Sequence, residues 1–237
     1  MVDSASLTGV SPIIGFKARL RDGVSRRSRA SKIDWLRGQI EPESSVLVVG
    51  ATVLGPSAYG TANMIEEALC EFTDVIALIY EEGDTGLPVP TCRGDACALP
   101  FADKSFDYVF SNAVIEHVGG VKRARLMLAE SVRVARKGAF HTTPDRKFPI
   151  EVHTQLPLLH WLPRGWQAWT FAKAGRSYWT PDYYWLFTRR SLRALDSRFD
   201  VTRNSPMTLI ATWRDCGNLP SGLPNDAVGS PHRPSRT

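Results

Sequence analysis

The chain has 237 residues, 43% of them hydrophobic, with a formal net charge of +5. That length suits one α/β domain with additions, and no apolar run approaches the roughly 20 residues that cross a membrane. The charge is uneven: residues 1–40 carry eight Lys and Arg against three Asp, residues 41–103 carry eleven acids against Arg93 alone, and from 104 onward 20 basic residues face 10 acidic ones. An acidic block inside a basic protein argues against a simple nucleic-acid surface and suits a cationic cofactor in the acidic half.

Residues 1–30 are poor in apolar side chains and contain Arg-Arg-Ser-Arg at 26–29, which reads as a loosely ordered basic arm. The N-terminus shows no charged-apolar-small leader pattern, so the expected location is cytoplasmic. A main domain is expected over 31–215. It opens with a short helix over 31–40, whose inward face carries Ile33, Leu36 and Ile40 at i, i+3, i+7.

The next stretch organises the rest. Val46-Leu47-Val48-Val49 is a continuous apolar run that suits a strand buried on both faces. Gly50 and Ala51 follow it, where the backbone turns and a ligand can approach closely. A helix over 61–70 then leads to a second buried strand over 75–80, which ends at Glu81 and Glu82. Strand, small-residue turn and helix make the first half of a βαβ nucleotide-type site, in which ligands lie beyond the carboxyl ends of the strands. A carboxylate after the second strand can accept hydrogen bonds from ribose hydroxyls.

A short third strand over 91–93 precedes Gly94-Asp95-Ala96-Cys97, and a fourth over 105–111 runs into Asn112-Ala113-Val114-Ile115-Glu116-His117. Residues 121–135 read as a basic amphipathic helix and 138–142 as a fifth strand. Five of the seven Trp fall between Trp161 and Trp185, so 146–187 reads as an aromatic insertion covering the substrate. A helix over 190–195 and two strands over 199–203 and 207–213 close the domain. A disordered tail is expected over 216–237.

Several chemistries are excluded by spacing. Gly50 to Ser57 is one residue away from a phosphate-binding loop, but Pro56 stands where the lysine belongs and has no N–H to donate. Gly-x-Gly-x-x-Gly is absent, which disfavours a dehydrogenase. Cys70, Cys92, Cys97 and Cys216 form no Cys-x-x-Cys pair, and no metal-ligand spacing is recognised, so reduced thiols and no metal are expected.

Three stretches carry a resemblance. VLVVGATVLG at 46–55, GDACALPFADKSFDYVFSNAVIEHV at 94–118 and RSLRALDSRFDVTRNSPMTLIATW at 190–213 resemble the class I S-adenosylmethionine-dependent methyltransferases, of the small-molecule kind called type 11. The resemblance implies a Rossmann-like, mostly parallel seven-stranded sheet flanked by helices, with the aromatic insertion after strand five. It implies S-adenosyl-L-methionine as cofactor. Gly50 and Ala51 would pass its methionine end, Glu81 its ribose, and Asp95 and Ala96 its adenine. Asn112 and Ala113 would lie under the sulfonium. FPIEVHTQLPLLHWLP at 148–163 is similar to a segment in bacterial methyltransferases encoded with glycan-building enzymes. The implied reaction is O-methylation of a sugar, a glycan precursor or another small molecule.

Methyl transfer from a sulfonium is an in-line displacement, so alignment supplies much of the catalysis. A hydroxyl nucleophile also needs a base within about 3 Å; His117 and His153 are the candidates, with His141 weaker and His160 read as packing. A nucleic-acid acceptor is disfavoured, because Ser-Asn-Ala-Val stands where base-methylating relatives carry Asn-Pro-Pro-Tyr. The alternative is a non-catalytic methyltransferase-like binding or regulatory module, favoured by Ala51-Thr52-Val53-Leu54 in place of the family's Gly-x-Gly loop.

Overall fold

A computed structural model describes residues 12–55, 61–149, 158–173, 184–215 and 217. The central strand β1 (Ser45–Val49) is buried at four of its five residues. It pairs in parallel with β2 (Asp74–Ile79) on one side and β4 (Phe106–Asn112) on the other. The third strand, β3 (Thr91–Arg93), adds in parallel to β2, and β5 (Ala135–Pro144) adds in parallel to β4. Two further strands, β6 (Asp200–Ser205) and β7 (Thr208–Arg214), close the sheet antiparallel, in the order β3-β2-β1-β4-β5-β7-β6. The strand order reverses between β1 and β4, and at such a switch point the loops part and leave a crevice for a ligand.

Two apolar layers cover the sheet. On one face β1, β2 and Phe140 pack with Leu36, Ile40, Ile65 and Leu69. The last two belong to α2 (Met64–Cys70). On the other face lie Met127, Leu128 and Val132 of α3 (Val121–Val134), with Phe187, Leu192 and Phe199. The last turn of α3 passes straight into β5 through Ala135, whose backbone is already extended. Leu192 lies on α5 (Arg189–Arg193), where Thr188 and Ser191 cap each other's backbone N–H.

Two sequence expectations need correction here. The loosely ordered arm is helical from residue 12: α1 (Pro12–Arg37) is one continuous helix of 26 residues. It takes in most of the short helix expected over 31–40, with Gly38 ending it and Ile40 buried just beyond. Trp35, which falls off the expected inward face, packs edge-on against Phe140 with ring centroids 5.4 Å apart. The fifth strand is also longer than its expected core. Arg136 and Lys137 extend it, held by Asp107 and Glu41 at the amino edge of the sheet. His153 and the tail from 218 lie outside the described residues.

Candidate active site at the carboxyl edge

Four loops meet beyond the carboxyl ends of the parallel strands. The loop after β1 begins at Gly50, whose φ of +80° disfavours other residues. A Cβ at that glycine would sit 2.5 Å from Val114 Cγ2, so the approach of the loop after β4 requires glycine. The next residues are tied to the loop after β2. The Leu54 N–H donates to Asp84 O at 2.7 Å, and buried Asn63 bonds both the N–H and the carbonyl of Thr52 as well as Thr85 O. Val53 and Leu54 fill the spaces beside Gly83 and Gly86. Ala51 is buried and Thr52 exposed.

Beyond β2, Tyr80, Glu81 and Glu82 are all exposed. The turn after β3 is built on Asp95. Its carboxylate accepts the Cys97 N–H at 2.9 Å and the Arg123 guanidinium at 2.8 and 2.7 Å. Partial burial works against ionisation here, but the Arg123 and Cys97 bonds outweigh it and hold the carboxyl below its ordinary range. Ala96, beside it, is half-buried against the core. Arg133 fixes the remainder of this loop by donating to Leu99 O, Phe101 O and Asp103.

The end of β4 holds the most unusual group. Asn112 Oδ1 accepts from Thr142 Oγ1 on β5 and from Lys32 Nζ on α1, both at 2.8 Å. Lys32 is buried, and desolvation pushes its ammonium down to about 8, with Arg29 adding to the effect and Glu116 and Glu66 opposing it. Glu66 is itself buried, and desolvation holds its carboxyl above the ordinary range. Ala113 follows in a left-handed conformation at φ +56°, a strained choice for a residue with a side chain. Its N–H is fixed by Thr142 O. Glu116 is fully buried and accepts from Thr143 Oγ1 at 2.8 Å.

His117 is exposed, and its ring lies 5.1 Å from Tyr184 where the aromatic insertion rejoins the domain. His141 is enclosed within the sheet, its Nδ1 bonded to Ser111 Oγ at 2.8 Å. Burial pushes it down to about 3, so it is a neutral structural residue at ordinary pH. His160 is buried and bonds Arg146 O. The structure therefore brings Gly50, Asn112, Ala113 and Lys32 to one place, with Glu81 and Asp95 on neighbouring loops of the same edge.

Residues 62–142 match the family model described as a methyltransferase domain. That match covers 81 of the 237 residues, and the seven-stranded sheet has the Rossmann-like order of a methyltransferase fold. No curated protein matches the sequence. Among solved structures, the PH0226 protein of Pyrococcus horikoshii is similar at 14% identity and a TM-score of 0.56, over 80% of this chain and 90% of that one. A Rhodobacter sphaeroides protein described as a Zn-dependent alcohol dehydrogenase is similar at 16% identity and 0.54, over 77% and 88%. Magnesium protoporphyrin IX methyltransferase from Synechocystis, with bound SAH, reaches 11% and 0.49 over 87% and 89%. Identities this low carry the fold alone.

The cofactor of the methyltransferase domain is S-adenosylmethionine, and the donor set suits it. Its ribose hydroxyls and adenine amino group are donors that need acceptors, and Glu81, Glu82 and Asp95 stand on adjacent loops of this edge. Close approach of a ligand to backbone needs a residue such as Gly50, where side-chain space is already taken. Sequence reasoning missed Lys32. A lysine inside an Arg-rich stretch reads as solvated, and only the path of α1 over the sheet edge buries it.

Proposed function

We propose that this methyltransferase domain moves a methyl group from S-adenosylmethionine to a small-molecule acceptor, a hydroxyl of a sugar or glycan precursor being the favoured class. The observation that carries this reading is the cluster at the switch point, where Gly50, Asn112, Ala113 and Lys32 converge between loops bearing Glu81 and Asp95. In this reading Gly50 and Ala51 lie along the methionine part, Glu81 accepts from the ribose, and Asp95 with the Ala96 backbone holds the adenine. Asn112 and Ala113 form the floor below the sulfonium. Lys32, anchored on Asn112, supplies a cation for the methionine carboxylate.

The cofactor supplies an electrophilic methyl; the chain's task is to align the acceptor oxygen with it and remove one proton. His117 is the proposed base on the described side of the site, being exposed on the loop after β4 and held by the Tyr184 ring. His153, in the insertion, is the second candidate. In this reading the insertion covers the acceptor and excludes water, a role supported by the contact of Tyr184, at its return, with His117.

One feature favours a second reading. The loop after β1 is zipped to the loop after β2 through Leu54, Asn63, Val53 and Gly83, and a non-catalytic binding module needs no more than that. Incubation with methyl-labelled S-adenosylmethionine and fractionated small molecules, read by mass spectrometry, separates the two. Label in a hydroxyl-bearing product supports transfer. Absence of any labelled product, with the cofactor bound, supports the module.

A further inference from the structure

Three tryptophans of the insertion, Trp161, Trp166 and Trp169, face outward instead of packing inward. The insertion's helix α4 (Arg164–Lys173) follows a single 3-10 turn, Leu159–Trp161. The two are locked together by Gln167, whose side-chain amide donates to His160 O at 2.9 Å and Leu162 O at 2.7 Å. That turns the Gln167 side of α4 toward the preceding turn. Trp166, Trp169 and Lys173 recur at i, i+3, i+7 on another face and are exposed, the two tryptophans at 67% and 62%. Leu158 and Trp161 extend the patch at 49% and 48%. The Trp161 indole N–H donates to Arg146 O, which sets its ring beside Arg146 and Lys147 at the rim of a cavity of about 380 Å³ completed by Thr188.

Burial of two exposed tryptophans is worth too much for both to stay in water without cause. The charge of this stretch of sequence narrows the occupant. Residues 146–190 contain seven Lys and Arg and only Glu151 and Asp182, a net +5 equal to that of the whole chain. Indole rings with a polar N–H, Leu158 beside them and cations at the rim match the level where lipid headgroups meet acyl chains, and the positive charge matches an anionic leaflet.

We propose that Leu158, Trp161 and the Trp166–Trp169–Lys173 face of α4 form a peripheral docking surface for an anionic phospholipid bilayer. The protein then lies on the membrane with the insertion as its contact. No described helix is long and apolar enough to cross one.

The test is sedimentation of the full chain with vesicles of phosphatidylcholine alone and of phosphatidylcholine with about one-third phosphatidylglycerol. Binding to the mixed vesicles is expected, with a blue shift of tryptophan emission. It should weaken as ionic strength rises from about 0.1 to 1 M, where the screening length falls from about 10 to about 3 Å. The double variant Trp166→Ser/Trp169→Ser should bind roughly tenfold less or worse, because it loses the inserted aromatic anchors. Both positions are exposed, and an unchanged unfolding transition confirms that the variant is folded.

No binding to mixed vesicles, or equal binding by wild type and the folded variant, overturns the proposal. Concentration-dependent self-association that the double variant abolishes, without vesicle binding, assigns the face to a second copy and overturns it equally. Vesicle binding requires neither cofactor nor acceptor, so its failure leaves the methyl-transfer reading untouched.

Discussion

Lys32 makes folding depend on alkaline pH in a way that no exposed lysine would. Its folded value of about 8 lies below the ordinary 10.5, so the native state releases this proton before the unfolded chain does. Unfolding therefore takes up a proton between those two values, and stability rises with pH across that window. The ammonium costs roughly 3 kcal/mol while charged below pH 8, and about 2 kcal/mol of that returns between pH 7 and 9.5. The groups facing it are Arg29, Glu66, Glu116 and Asn112. The assay is urea unfolding of the wild type and Lys32→Met at pH 7, 8, 9 and 9.5. Wild-type stability should climb relative to the variant by about 2 kcal/mol over that range. Parallel pH profiles would show that Lys32 is solvated, and would remove it from the site.

Other expectations concern particular contacts. Gly50→Ala forces a Cβ to within 2.5 Å of Val114 and keeps a φ of +80°; it should cost about 2 kcal/mol or more in thermal unfolding, with Val114→Ala recovering part of the loss. Asp107 is partly desolvated, but Arg136 and Ser45 outweigh that and hold it at about 2. Its stabilisation is present above the unfolded value near 3.9 and is lost as pH falls toward 2; Asp107→Asn should flatten acid denaturation in that window. Asp95→Ala should weaken cofactor binding by about 1 to 3 kcal/mol by calorimetry, whereas unchanged affinity would displace the adenine assignment. His117→Ala should lower turnover by roughly 100-fold with little change in cofactor affinity, and unaltered turnover would remove it as the base.

The sheet was readable because its strands are unusually plain. Val46–Val49, Val75–Tyr80 and Tyr108–Phe110 are apolar runs, the first two stopped by glycine and by acid, and burial on both faces needs nothing subtler. The N-terminal helix was less legible. Its sequence is Arg-rich with Gly23 within it, so local propensity is weak, and its C-terminal part is anchored by distant partners such as Phe140, Asn112 and Asn204. The ends of β5 were hidden for a similar reason: Arg136 and Lys137 look like loop residues until Asp107 and Glu41 are seen to receive them.

At the site, the motif pointed to Gly50, Asp95 and Asn112, but not to their partners. Arg123 lies 28 residues from Asp95, and Lys32 lies 80 from Asn112. Such pairs are set by the fold's return path and leave no periodic trace in the chain. The exposure of Trp166 and Trp169 was equally invisible, because an aromatic stripe at helical spacing ordinarily packs inward.

The direct measurement of the central claim is isothermal titration of the full chain with S-adenosylmethionine and S-adenosylhomocysteine, repeated on Lys32→Met and Asp95→Ala. Saturable one-to-one binding of both compounds, weakened in each variant, is the result the carboxyl-edge site predicts. Heat no different from dilution for either compound would contradict it, and so would binding that both substitutions leave unaltered.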